Sequence, residues 1–196
     1  MRKFLSLPKE KQEKIITAAM TLFGDVGYKK AYISEIAAAA GISKALVFHY
    51  FGSKKGLYSY LVYYTGKIIV TEAQHDRETS GKSFFDRVLT IIKFRLLLKS
   101  RYPAMTNFIN SVIAEDDDEA ASDKNRLISI VTDMHAGISL APGDEKLFKS
   151  EADGQHVVNL LTKYAEGVVS SFHKGSSVES AVAEVTECLK ILESLL

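Results

Sequence analysis

Ile33-Ser34-Glu35-Ile36-Ala37-Ala38-Ala39-Ala40-Gly41-Ile42-Ser43-Lys44-Ala45-Leu46-Val47-Phe48-His49-Tyr50-Phe51 is the stretch that decides the fold. Two helical pieces, each too short to be stable alone, flank a glycine that can adopt positive φ and make a tight turn. The small residues at 37 to 40 let a second helix come close, and Ile36, Ile42, Val47 and Phe51 supply a buried side. That is the pattern of a helix-turn-helix. Val47 and Phe51 lie four apart and point inward together, so Lys44, Ala45, Phe48 and His49 project outward. In such a unit the second helix enters the DNA major groove with its N-terminal residues, here Ser43 and Lys44, nearest the base edges. Ser43 and Ser53 each sit at a helix start, where free N–H groups suit a phosphate oxygen, and Lys54 and Lys55 strengthen the second site.

The charge distribution points the same way. Residues 1–57 hold ten Lys or Arg and four acids, net +6, whereas the remainder holds 15 basic and 20 acidic residues, net −5. A basic first quarter on an acidic body suits a chain of which one part meets a polyanion.

Working outward, the periodicity is helical throughout. On the N-terminal side, Ile15, Ala19, Leu22 and Val26, with Ile16 and Phe23 beside them, form an apolar stripe after Pro8, and Gly24 and Gly27 are expected to end that helix. Leu22 and Phe23 are read as core. On the C-terminal side Ser53 caps a helix through Leu57, Leu61, Tyr64 and Ile68, and a polar break follows at 75–82. Further stripes run from Phe84 to Leu97, from Pro103 to Ile113 and from Leu127 to Met134. A turn is expected at 137–144, and then two helices over 145–174 and 177–196. No segment alternates with period two for long enough to argue a sheet. The expected fold is all-α: a helix-turn-helix domain over 1–53 and a helical domain over 54–196, connected by a helix from about 54 to 74.

Composition excludes several classes. With 196 residues, 46% hydrophobic and 25% charged, the chain has the make-up of a globular protein. No apolar run approaches the roughly 18 residues of a membrane span, and the short apolar stretch after Arg2 and Lys3 is no secretory signal, so a cytoplasmic location is expected. The lone Cys188 fits a reducing compartment. The histidines are scattered without metal-ligand spacing, and the run Glu115-Asp116-Asp117-Asp118-Glu119 lacks the spaced ligands and central glycine of a calcium loop. That run reads as a solvated loop and helix start. Gly81-Lys82-Ser83 lacks the earlier glycine of a phosphate loop, because position 76 is Asp76, and neither Ser-x-x-Lys occurrence has the partner motifs of an acyl-transfer enzyme. No metal, cofactor or enzymatic activity is expected.

Three blocks carry a resemblance to a known family: Ala18-Ala19-Met20-Thr21-Leu22-Phe23-Gly24-Asp25-Val26-Gly27-Tyr28, then Glu35 to Lys44, then His49-Tyr50-Phe51-Gly52-Ser53-Lys54-Lys55-Gly56-Leu57. In order and spacing they resemble transcriptional regulators of the TetR (tetracycline-repressor) family, over residues 8 to about 65. The resemblance implies a three-helix DNA-binding domain joined through a fourth helix to a larger domain that binds a small molecule and dimerises. It implies a DNA face made of Tyr32, Ser34, Ser43, Lys44, Ala45, Phe48, His49, Tyr50 and Lys54. Two positions depart from the pattern. Ala31 and Tyr32 stand where a Thr or Ser often caps the helix, so Tyr32 would have to offer its own hydroxyl, and Phe48 stands where Tyr is frequent.

A dimeric repressor released from a palindromic double-stranded operator by a small apolar or aromatic effector is therefore expected. An effector pocket is expected among Tyr64, Phe94, Met105, Phe108, Met134 and Tyr164. A four-helix homodimer interface is expected from Val157, Leu161, Val168, Phe172, Val178, Val182, Val185, Leu189 and Leu192. The alternatives are a constitutive regulator or activator without an effector, and a helical enzyme or carrier whose helix-turn-helix is a packing motif.

Overall fold

The computed structural model describes residues 2–75, 83–135, 138–173 and 175–196, with backbone alone at 74–75 and 133–135. The elements are α1 (Arg2–Leu5), α2 (Lys9–Lys30), α3 (Ile33–Ala40), α4 (Lys44–Phe51), α5 (Lys54–His75), α6 (Phe84–Arg101), α7 (Pro103–Ala114), α8 (Ala121–His135), a 3-10 turn (Asp144–Leu147), α9 (Glu151–Ser171) and α10 (Val178–Leu195). There is no strand among the described residues, as the helical periodicity predicts. The polar break falls mostly outside the described residues.

The helices group into two units, Met1–Thr71 with Tyr102–Val131, and Glu72–Arg101 with Thr132–Leu196. This differs from a division at 53/54, because α7 and most of α8 join the N-terminal helices. Gly24 is the reason. It does not end α2 but sits inside it, where an added Cβ would lie 3.1 Å from the Phe108 backbone nitrogen and 3.2 Å from Asn107, so the two backbones come together only over a residue without a side chain. Around that approach Phe23, Tyr28, Tyr58 and Phe108 form one aromatic cluster, with Tyr58 edge-on to Phe23 at 5.1 Å and to Phe108 at 5.5 Å. The Ser111 hydroxyl donates to the Phe23 carbonyl at 2.7 Å. Gly27 bends α2 at φ 79 and ψ 171, a region open essentially to glycine, and the helix resumes to Lys30. The buried stripe of α2 is rotated from the expected one. Met20 and Phe23 face the core, whereas Leu22 is half-buried and Val26 is exposed.

The second unit is built on Phe84, Phe85, Val88, Ile92 and Leu96 of α6, packed against Leu161 and Ala165 of α9 and Val185 and Leu189 of α10. Ser150 and Ser177 cap α9 and α10 by accepting from the N–H groups of Asp153 and Ser180. The turn at 144–147 precedes Ser150, so α9 starts at Glu151 and not at 145. Arg87 donates to Asp144, which also accepts from the Ala141 N–H at 2.7 Å. Burial raises the Asp144 carboxyl, but the Arg87 and Ala141 hydrogen bonds outweigh it and hold the group below its ordinary 3.8. A depressed carboxyl stabilises the fold above its unfolded pKa and stops doing so as pH falls through the folded one. Asp144→Asn is therefore expected to cost about 1 kcal/mol at neutral pH. In urea unfolding, that gap should close as the pH drops below 3.8.

Candidate nucleic-acid interface

Four alanines make α3 a short helix with a thin face, and Ala37 and Ala40 are buried on it beside Ile33 and Ile36. Gly41 ends it at φ 68 and ψ 32, and the Ile42 N–H reaches back to the Ala37 carbonyl at 3.0 Å, closing a Schellman turn. Ser43 then starts α4 by accepting from the Leu46 N–H at 3.2 Å. That hydrogen bond occupies a lone pair of the hydroxyl and leaves its proton free to donate outward. Ser53 repeats the device at the start of α5, accepting from the Gly56 N–H at 2.9 Å.

On α4, Val47 is fully buried and Phe51 nearly so, while Lys44, Ala45, Phe48 and His49 are exposed. Tyr32 and Ser34 at the start of α3 are exposed too. Tyr32 caps α3 without a side-chain hydrogen bond, so its hydroxyl does not stand in for the missing Ser or Thr. Tyr50 is half-buried beside Phe4 and His49. The Lys44 ammonium lies 5.9 Å from the centre of the Phe48 ring.

The two lysines that open α5 are more engaged than the sequence suggests. Lys54 donates to the Lys29 carbonyl at 3.1 Å and lies 4.6 Å above the Tyr28 ring. Lys55 is ion-paired with Asp123, which also accepts from Ser59 at 2.7 Å. Lys55, expected to strengthen a phosphate site, thus already has a carboxylate partner within the unit.

Two features escaped the sequence reading. The first is Phe4, fully buried and packed on Phe51 at 4.8 Å and Tyr60 at 5.3 Å, which fastens α1 to α4. Its signal in the sequence is an aromatic residue inside a short apolar run, Phe4 to Leu7. The second is Glu115: Asp116, Asp118 and Glu119 of the acidic run are exposed as expected, but its first carboxylate is buried. Glu115 is 8% exposed, accepts from the Tyr28 N–H at 2.6 Å with Oε2 and from the Asp116 and Asp117 N–H groups with Oε1. Glu119 accepts from the Tyr28 hydroxyl at 2.6 Å. Burial first, then this hydrogen bond, raises the Tyr28 phenol well above its ordinary 10, so it stays a donor. The run thus holds the bend at Gly27.

Electrostatics sharpen the picture. Glu10, Glu13, Asp25 and Glu35, which are all four acids among residues 1–57, line a single open groove of about 620 Å³ with residues of α2 and α3. None of its lining residues belongs to α4. The exposed face of α4 carries Lys44 and no carboxylate.

The remaining expected site residues are spread over both units. Tyr64, Met105 and Phe108 lie in the first, where Phe108 is fully buried in the aromatic cluster, and Phe94 and Tyr164 lie in the second. The Met134 side chain lies outside the described residues. Of the expected interface residues, Leu161, Phe172, Val185 and Leu189 are corrected to core, since each is at least 93% buried within the chain itself. Val157, Val168, Val178, Val182 and Leu192 are partly buried against that core. Leu160, Ile191, Leu195 and Leu196 are the exposed large apolar residues of the last two helices and the C-terminus. Among the described residues no group of His, Cys, Asp and Glu is placed to hold a metal ion, and no helix is long and apolar enough to cross a membrane.

Residues 15–61 match the model of the bacterial regulatory proteins of the tetR family. A stretch of 53 residues is 38% identical to the HTH-type transcriptional regulator BetI of Vibrio vulnificus, covering 27% of either protein, so the match spans about a quarter of that relative's length. In structure the chain is similar to a TetR family transcriptional regulator from Chloroflexus aurantiacus, with a TM-score of 0.66 and 18% identity over 99% of this chain and 96% of that one. It is also similar to the transcriptional regulator FadR from Bacillus subtilis, solved in complex with stearoyl-CoA. There the TM-score is 0.62 and the identity 16%, over 90% of this chain and 96% of that one.

Proposed function

We propose that this chain, whose residues 15–61 match the tetR family of bacterial regulatory proteins, is a dimeric repressor that binds a palindromic operator and leaves it on binding a small molecule. The observation that carries this reading is the division of α4: Val47 and Phe51 are buried while Lys44, Ala45, Phe48 and His49 stand outward beside a capped N-terminus. A short helix so presented fits the major groove with its first turn against base edges. Ser43 and Ser53 supply hydroxyl donors for phosphate oxygens, and Tyr32, Ser34, Tyr50 and Lys54 complete the proposed DNA face. Phe48 has no hydroxyl, and its ring suits a sugar or a thymine methyl.

Two copies are needed to read a palindrome, with half-sites about 34 to 36 Å apart or a multiple of that. The surface for pairing is the outer face of α9 and α10, where Leu160, Ile191 and Leu195 are exposed and Val182 and Leu192 partly so. The similarity to FadR, solved with stearoyl-CoA, supports an effector with an apolar acyl body. Effector coupling of about 1 to 3 kcal/mol would change operator affinity roughly 5- to 150-fold.

The test is fluorescence anisotropy on a genomic fragment selected by the wild-type protein. Lys44→Ala is expected to weaken binding about 8-fold at 0.1 M salt and to make the log-log salt dependence shallower by about one. Two chains should bind per duplex. Unchanged affinity with an unchanged slope removes α4 from the DNA face.

A further inference from the structure

Arg95 on α6 is incomplete. Its side chain is half-buried, and its Nη2 is sealed from solvent without a hydrogen-bond partner. Glu166 of α9 acts on it as a Coulombic neighbour, yet the two form no ion pair among the described residues. Lys99, one turn along α6, is in a different state: its ammonium donates to the carbonyls of Val169 at 2.6 Å and Ser170 at 3.0 Å, closing the end of α9. Burial lowers the Arg95 pKa, with Glu166 opposing it, but a guanidinium does not lose its proton in a protein. A charged donor sealed from water without an acceptor is costly, and the guanidinium fork matches the oxygens of an anion.

The neighbourhood says what kind of anion. Ile91, one turn before Arg95 on α6, and Tyr164 of α9 are partly buried against the apolar core that Ile92, Leu96, Leu161 and Ala165 fill. Ligand sites that combine an apolar wall with one oriented charge select amphiphiles. We propose that Arg95 anchors the anionic group of an apolar acid, and that this acid is the effector. The inference rests on the effector-controlled reading above and adds the charge and the residue that holds it.

The experiment is thermal unfolding of the full chain with octanoate, octyl phosphate or 1-octanol, three probes of one chain length that differ in the head. At about 100 times its dissociation constant, an anionic probe should raise the wild-type midpoint by roughly 5 to 10 °C, and the alcohol should not. The better of the two anions identifies the head as carboxylate or phosphate. Arg95→Met should abolish the response and, without ligand, melt at or above the wild-type temperature, because a buried unpaired charge has gone. Arg95→Lys should keep a fraction of the response. The proposal is overturned by an equal response to 1-octanol, by no response to either anion, by a full response in Arg95→Met, or by a ligand-free Arg95→Met that melts well below wild type. DNA binding by the wild-type protein is measured apart, so a regulator without this anion site and an acid-binding protein without an operator give different results.

Discussion

Replacing Glu115 by alanine is expected to destabilise the first unit by about 3 kcal/mol, a fall of roughly 6 to 12 °C in its melting temperature. One carboxylate serves three backbone donors there. Oε2 takes the Tyr28 N–H at 2.6 Å, just past the bend at Gly27, and Oε1 takes the N–H groups of Asp116 and Asp117. Hydrogen bonds to a charged acceptor are worth more than neutral ones, and the Tyr28 N–H is left buried and unmatched when the carboxylate goes. Glu115→Gln should recover only part of the loss, since its single carbonyl can face one side and its amide then opposes the other donors. Because Tyr28 precedes α3 by a few residues, the variant should also weaken DNA binding in anisotropy. A thermal midpoint within about 1 °C of wild type would mean that Glu115 does not hold the bend.

Phe23→Ala is expected to be the most damaging single change, costing about 3 to 5 kcal/mol. The ring is fully buried and meets Tyr28, Tyr58 and Phe108, so its removal leaves a hole walled by other rings, which are too rigid to collapse into it. Tyr58 is buried with its hydroxyl unpartnered, so it is held by packing alone, whereas Tyr28 is also held by its hydrogen bond to Glu119. Phe23→Leu should cost about half as much. Urea unfolding would show the midpoint falling with the slope unchanged, and a loss under about 1.5 kcal/mol would show that the cluster refills the space.

What the sequence made readable was local. Gly41 and Ser43 announce the turn and the start of α4 by their own backbone chemistry, and Val47 and Phe51 divide the helix into an inner and an outer face without help from any distant residue. What it hid depends on contacts across the chain. Gly24 carries the same letter as a helix terminator, and only the arrival of Asn107 and Phe108 shows it to be a point of close approach. The carboxylates at 115 and 119 look solvated until Tyr28, some ninety residues earlier, is brought to them. The stripes of the last two helices posed a different difficulty. A stripe that packs on α6 and one that packs on a second copy have the same periodicity, and only coordinates separate Leu161 and Leu189, which face inward, from Leu160 and Ile191, which do not.

The confinement of four carboxylates to one groove has a bearing on speed as well as affinity. Lys14 also lines the groove and offsets one of the four charges, so a polyanion that collides with that side of the N-terminal segment is repelled before any short-range fit is tested. Adding salt shortens the reach of that repulsion along with the reach of the attraction, and the segment then loses its means of orienting itself in flight.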